Sequence, residues 1–390
     1  MKIIVITSFY PNTCDPTRAV FIKSLVSELD EKADIVVISP LPYVPFFLRK
    51  KEKYRCLHGL PYKEYYDKIK VYRPRYLVFP KTELLNGIMY AFGIFKALRK
   101  LSRQSNKQNV IVHTHSAYPD AVGSIIACRL LKLPVVTTVH GSDINVMPKN
   151  PFLRPQIRYA LNRSNGIVAV SRKLIKKIEK LSVSNEIKHI PCAGYNPDSF
   201  SSVHSDDRVN NTYRIIFIGN LVKIKGVDLL INAVAKLKNS MNMQLDIIGK
   251  GPEMQKLRQM TKDRSLEHVV KFYGIVEHEK IALHLQKANL LCLPSYNEGT
   301  PNVVIEALAS GLPVLATKVG ALPDIVNDTN GILVNTGKID ELINGVLQAQ
   351  SRKWDSRLIA STVSQFTWAD LGRQNYEYLH QVCNHFYATH

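Results

Sequence analysis

The sequence predicts an α/β protein built as two doubly wound parallel-sheet domains, and three observations predict it. At 390 residues the chain is too long for one ordinary α/β core and about right for two. Short apolar, β-branched runs alternate with helical patterns, and this series starts again midway along the chain. A polar stretch separates the two series. Near-continuous apolar strands alternating with helices are the mark of a parallel sheet covered on both faces.

In the first half the expected strands are Ile3–Thr7, Asp34–Ser39, Val110–Thr114, Pro134–Val139 and Gly166–Val170. Met1 to Thr7 looks like the start of a secretory leader. Phe9-Tyr10-Pro11-Asn12 breaks it and no small-residue cleavage site follows, so it reads as a buried first strand. Ala121 to Leu131 has apolar residues at helical spacing. Leu84 to Leu98 is the most apolar stretch, but two glycines, an Asn and a Lys interrupt it. It falls short of the roughly 20 apolar residues of a membrane span and reads as a packed or interfacial helix. Pro197 to Thr212, rich in Ser, Asp and Asn, is the expected linker. The second half then gives Arg214–Gly219, Gln244–Gly249, Val269–Tyr273, Asn289–Pro294, Pro313–Thr317 and Ile332–Val334. Two such domains would form a cleft, with ligands outside the carboxyl ends of the strands.

Composition is that of a globular protein, with 45% apolar and 22% charged residues. The charge is uneven. Residues 1–190 hold 32 Lys and Arg against 13 Asp and Glu, whereas residues 191–390 hold 20 against 19. The excess of cations therefore belongs to the first half, and the two halves should have different partners. The six cysteines are scattered without metal-ligand spacing. Cys128 and Cys292 lie in apolar runs and read as core residues, and free thiols point to a reducing cytoplasm.

The most informative segment is Tyr296 to Gly311, YNEGTPNVVIEALASG, which follows the strand NLLCLP. Thr300 is the expected N-cap and Pro301 the first helical residue, with the helix stopping near Gly311. The amides of Thr300, Asn302 and Val303 would open toward an anion, as a helix start does. Glu298 precedes the helix and Glu306 lies about two turns into it. Carboxylates on either side of a diphosphate-sized site suit the two hydroxyl-bearing ends of a nucleoside-diphosphate sugar.

This segment resembles the signature of glycosyltransferase family 4, retaining enzymes of the GT-B fold whose two Glu have seven residues between them. Further landmarks follow the family order. Phe217 to Gly226 (FIGNLVKIKG) is similar to its phosphate-binding loop, followed by Ile247 to Glu253 (IIGKGPE), Phe272-Tyr273-Gly274 and Gly311-Leu312-Pro313-Val314. The resemblance implies two Rossmann-like domains facing each other across a cleft. Residues 1–196 would form the acceptor and membrane side, 197–371 the nucleotide-sugar side, and a terminal helix, 372–390, would pack back on the first.

By this resemblance the reaction is transfer of a sugar from a nucleoside-diphosphate donor, UDP favoured over GDP, to a hydroxyl with retained configuration. Glu306 would hold the ribose, Glu298 the sugar ring, and Lys225 with the helix-start amides the diphosphate. Gly219, Asn220 and Gly249 would line the donor loop. Asn220 departs from the family, where many members carry Arg, and Lys223 is the nearby substitute. Val139-His140-Gly141-Ser142-Asp143 resembles the motif that faces the donor from the first domain, which gives His140 the reacting face. His113 and His115 share one face of a strand with no fourth metal ligand, and no Asp-x-Asp occurs. Metal-independent transfer without a cofactor is expected. Arg18 takes the place of family glycines after the first strand and suits an acceptor phosphate.

Residues 49–81 carry 11 Lys and Arg against 3 acids and follow Tyr43, Phe46 and Phe47. Aromatics beside such a run suit an anionic membrane surface, with residues 43–81 as the contact. Lipid-linked or oligosaccharide acceptors, as in bacterial envelope polysaccharide assembly, would fit a cytoplasmic enzyme peripheral to the inner face. The alternatives are a GT-B sugar-nucleotide epimerase and, from another class, a basic nucleic-acid-binding protein. The second lacks a reading motif, so no nucleic-acid partner is expected. An NAD enzyme would need Gly-x-Gly-x-x-Gly after a strand, and none is present.

Overall fold

The computed structural model describes residues 1–16, 18–46, 50–78, 83–104, 109–201 and 212–389. The chain divides into two compact units, Met1–Cys192 with Trp368–His390, and Ala193–Thr367. The divisions fall after Cys192 rather than Asn196, and before Trp368 rather than Gly372. Of the expected linker, residues 202–211 lie outside the described residues. Phe200, by contrast, is buried in the second unit's core.

The first unit holds β1 (Lys2–Ile6), β2 (Asp34–Ile38), β3 (Leu41–Pro42), β4 (Lys63–Tyr66), β5 (Ile69–Tyr72), β6 (Arg75–Tyr76), β7 (Val110–His115), β8 (Val135–Val139), β9 (Gly166–Ala169) and β10 (Ile187–His189). Eight of them form one sheet in the order β10-β9-β8-β7-β1-β2-β5-β4, with β4 antiparallel and the rest parallel. Its helices are α1 (Val20–Asp30), α2 (Glu52–Gly59), α3 (Glu83–Arg103), α4 (Val122–Leu131), α5 (Ser142–Asn145), α6 (Leu153–Arg163) and α7 (Arg172–Glu179).

The second unit is a parallel sheet in the order β13-β12-β11-β14-β15-β16. Its strands are β11 (Tyr213–Ile218), β12 (Met243–Ile248), β13 (Val270–Gly274), β14 (Leu290–Leu293), β15 (Val314–Thr317) and β16 (Gly331–Val334). Helices α8 (Val227–Leu237), α9 (Met254–Asp263), α10 (His278–Lys287), α11 (Asn302–Ala309), α12 (Leu322–Ile325), α13 (Ile339–Ser351) and α14 (Ser356–Ser361) connect them. The terminal α15 (Trp368–Thr389) belongs to the first unit, where Leu371 and Leu379 join the core.

The apolar runs read in each half all form strands, because both faces of each sheet are covered. In β1, Ile4 and Ile6 face the layer of α3, α4 and α6, while Ile3 and Val5 face α1 and α15. Helices α3 and α4 approach closely because a Cβ on Gly87 would stand 2.6 Å from Val122, and one on Gly123 2.6 Å from Tyr90. Each sheet reverses its winding once, between β1 and β7 in the first unit and between β11 and β14 in the second. Open α/β sheets bind ligands outside the carboxyl ends of the strands at such points.

One sequence expectation is corrected here. Cys14 and Cys56 form a disulfide, with Cα atoms 5.8 Å apart, so not all thiols are free. The pairing is tertiary and leaves no trace in the spacing, and the cysteines no longer argue for a reducing compartment. Cys128 and Cys292 are free and buried, as core residues should be. Within the basic run 43–81, Lys50, Lys51, Arg55, Lys63 and Lys68 are exposed, while two cations turn inward. Arg73 is fully buried, 2.5 Å from Glu64 and 2.7 Å from the Pro11 carbonyl oxygen. Arg75 donates to the carbonyls of Leu57 at 2.7 Å and Leu60 at 2.9 Å, at the end of α2. Phe47 to Arg49 and Phe79 to Lys81 of that run lie outside the described residues.

Candidate functional site

In the second unit, polar residues gather beyond the carboxyl ends of β11 and β14, where the winding reverses. The chain leaves β11 through Gly219 and Asn220, and a short helical turn over Lys223–Lys225 leads into α8. Gly249 ends β12 so close to this loop that a Cβ would lie 1.9 Å from the Gly219 carbonyl oxygen. The Leu221 amide donates to the Lys250 carbonyl at 2.8 Å, tying the two loops together. Asn220 and Lys223 are exposed.

The ammonium of Lys225 donates to Glu298 Oε1 at 2.5 Å. The same oxygen accepts from the Ser295 hydroxyl at 2.7 Å, and the Ser295 carbonyl accepts from Thr317 Oγ1 at 2.5 Å. Glu298 is 7% exposed, so this pair is largely desolvated. Removing one member would leave a buried charge without compensation. The resemblance assigned Lys225 to the diphosphate and Glu298 to the sugar ring. Here each is the other's partner.

Helix α11 begins at Asn302, with Pro301 in the cap position and no side-chain cap. The expected arrangement is thereby corrected by one residue. Proline's extended ψ of 115° ends the loop, and Thr300 stands outside the helix. The Thr300 hydroxyl is buried without a hydrogen-bond partner. The Val304 amide is bonded to the Pro301 carbonyl at 3.1 Å.

Further along α11, Glu306 is buried, and its Oε1 meets His278 Nε2 at 2.9 Å. The hydrogen bond to Glu306 raises the His278 pKa above 6.5, although the imidazole is 67% exposed. The ring also stands 5.4 Å from Phe200, edge to face.

In the first unit the equivalent reversal point holds buried groups. His113 Nε2 meets the Thr138 hydroxyl at 2.8 Å, and His115 Nδ1 meets His140 Nε2 at 3.0 Å. Burial lowers His113 to about 3 and His140 to about 4, the latter against the pull of Asp143, and sets His115 well below 6.5. These imidazoles are therefore neutral near pH 7. The other nitrogen of each ring is buried without a partner. Asp143 fixes the backbone after β8 by accepting from the amides of Gly141 at 2.7 Å and Ala117 at 3.0 Å. Phe21 packs 5.1 Å from the His140 ring. Among the described residues no set of three or more His, Cys, Asp or Glu could hold a metal ion.

Asp120, beyond β7, accepts from the Ser8 amide at 2.5 Å and the Tyr90 hydroxyl at 2.7 Å, and its Oδ2 is unpartnered. Burial pushes its pKa up to about 7. It thus clasps the loop leaving β1. Arg18, in that loop, lies over the Phe9 ring at 5.2 Å.

Sequence reasoning missed Ser295, His278 and Asp120. Ser295 and Asp120 follow strand ends next to a reversal, which is a usable signal. His278 opens α10, 28 residues before Glu306, and nothing local marks it.

Comparison with known proteins agrees with the motif. The model for glycosyltransferase family 4 matches residues 19–193, and that for glycosyl transferases group 1 matches residues 203–359. A Bacillus subtilis protein named as a teichuronic acid biosynthesis glycosyltransferase, TuaC, is 30% identical over 358 residues, covering 89% of this chain and 88% of its own. The N-acetyl-alpha-D-glucosaminyl L-malate synthase of Bacillus anthracis is 28% identical over 259 residues, covering 64% and 68%. In fold, the Anabaena protein HepE, solved in complex with UDP, superimposes with a TM-score of 0.72 at 19% identity, over 97% of this chain and 99% of that one. The GT-B fold, the ordered motifs and the extent of these matches place the chain in glycosyltransferase family 4, and it is a glycosyltransferase.

Proposed function

We propose that the enzyme transfers a sugar, with retained configuration and without a metal, from a nucleoside-diphosphate donor to a hydroxyl of a lipid-linked glycan. UDP is preferred over GDP on family frequency alone. The likeness to a protein named for teichuronic acid biosynthesis supports envelope polysaccharide assembly, on the cytoplasmic face of a membrane. The bond from the anomeric carbon to the diphosphate oxygen breaks, and a bond to the acceptor oxygen forms. The acceptor's proton leaves with the diphosphate.

One observation carries the donor site: the Lys225–Glu298–Ser295 cluster at a sheet reversal, beside the start of α11 and on the same segment as the buried Glu306. When the diphosphate arrives, Lys225 exchanges Glu298 for phosphate oxygens and Glu298 turns to the sugar hydroxyls. The amides of Asn302 and Val303 and the unpartnered Thr300 hydroxyl add donors, which suits the developing negative charge of the leaving group. Glu306 takes the ribose hydroxyls and releases His278. Gly219, Asn220 and Gly249 shape the loop, and His140 keeps the reacting-face role that the resemblance gives it.

Calorimetric titration of UDP, GDP and ADP into the wild type and Glu306→Ala tests this reading. Tight binding of one nucleotide, weakened by the substitution, supports it and names the base. If no nucleotide binds, or if binding ignores Glu306, the donor site is misassigned.

A further inference from the structure

The exposed side of α3 is segregated along its length. Leu84, Leu85, Ile88 and Phe92 come first, followed by Lys96, Arg99, Lys100 and Arg103. Phe92 is 73% exposed, and beside it on α4 Leu130 is 72% exposed, flanked by the exposed Arg129 and Lys132. Between the two helices lies a cavity of about 180 Å³ walled by apolar side chains, among them Phe95 and Ile126. Helix α6 continues the layer with Arg154, Arg158 and Arg163. After Glu83, none of α3, α4 and α6 carries an acid. Among the described residues none of these cations has a carboxylate partner.

Three occupants would cover an exposed apolar face. A nucleic acid satisfies the cations but sets phosphates and water against Phe92 and Leu130. A second copy, meeting through the same patch, would bring like charges face to face. A bilayer with anionic headgroups satisfies both components at once: apolar side chains enter the interface while lysines and arginines stay at headgroup level. We infer that the α3–α4 face, extended by α6, seats this enzyme on an anionic lipid bilayer. The inference deepens the reading of a lipid-linked acceptor, on which its purpose rests, and it puts the main contact on this face rather than on the basic run 43–81, which turns Arg73 and Arg75 inward while Phe46, Lys50, Lys51, Arg55, Lys63 and Lys68 stay exposed.

The test uses the full chain and vesicles of phosphatidylcholine alone or mixed with phosphatidylglycerol, with no donor or acceptor present. Wild type is expected to float with the anionic vesicles and not with the neutral ones. F92D/L130D should lower that partitioning by ~10-fold or more, while K63E/K68E/K70E, in the basic run, has the smaller effect. Should F92D/L130D melt early, Phe92→Trp replaces it, and its indole emission should shift to the blue when anionic vesicles are added. The inference is overturned if wild type ignores anionic vesicles, if the α3–α4 variant binds like wild type, or if the Lys63 set matters more. It is also overturned if wild type is a dimer that F92D/L130D separates with vesicle binding unchanged. UDP binding by each variant is measured in parallel, so failure of the donor-site reading remains distinguishable from failure of this one.

Discussion

The two units put ionisable groups at equivalent places, where each sheet reverses, and hold them in opposite ways. In the first unit His113, His115, His140 and Asp120 are buried, and burial governs them: the imidazoles are pushed down and the carboxyl up, toward neutral forms. In the second unit Glu298 and Glu306 are nearly as buried, but each has a cationic or polarised partner, Lys225 and His278. Burial in the first unit favours the neutral forms, whereas in the second each buried carboxylate already has an oxygen engaged by a side chain that carries or can carry positive charge. A site that must bind hydroxyls and a diphosphate needs the second arrangement.

The largest expected effect comes from breaking the tighter pair. Lys225→Ala leaves Glu298 with Ser295 alone and removes the cation assigned to the diphosphate. kcat/KM should fall by about 10²- to 10³-fold, the size of losing one preorganised charge at a leaving group. Lys225→Arg should recover part of it. Steady-state kinetics with the donor found by calorimetry decides the matter, and unchanged activity in Lys225→Ala would show the pair to be structural.

An intermediate effect concerns pH. In the first unit the three histidines have folded pKa values below the ordinary 6.5, so the unfolded chain takes up their protons first. Stability is therefore lost as pH falls from 6.5 toward about 4, by up to ~1.4 kcal/mol per site per pH unit. Asp120 works the other way, because its folded pKa of about 7 lies above the ordinary 3.8 and its ionisation opposes folding as pH rises between them. Three sites outweigh one. Hydrogen exchange at pH 5 should show the first unit's strands losing protection before those of the second. Asp120→Asn keeps an acceptor for Ser8 and Tyr90 and should steepen the loss on acidification. Equal protection of both units at pH 5 would contradict the comparison.

The same contrast explains what the sequence could reveal. Strands such as Ile3–Val5 and Leu290–Leu293 were legible because burial on both faces writes a continuous apolar run. The hairpin β4–β5 was not, since KEYY and IKVY are short and lie within a stretch so rich in Lys and Arg that it reads as a solvated basic run. Glu298, Glu306 and Lys225 were found through motif spacing, which fixes their places on a loop and a helix. Their partners were harder: Ser295 and His278 meet them only through tertiary packing. The same holds for Arg73 with Glu64 and for Cys14 with Cys56, whose separation of 42 residues carries no signal.

The smallest effect lies at His278. Its imidazole is largely exposed, so His278→Ala should cost less than ~1 kcal/mol at neutral pH. The sign is set by its raised pKa: the contribution is complete below 6.5 and disappears as pH rises through the folded value. More telling is its titration in the presence of nucleotide. If ribose hydroxyls take the Glu306 carboxylate, His278 loses the bond that raises it, and its pKa should return toward 6.5. An NMR titration of the His278 ring, with and without saturating UDP, reads this directly. A pKa unmoved by a nucleotide that binds would place the ribose away from Glu306, and the second unit's pairing would then be a feature of its fold rather than of its site.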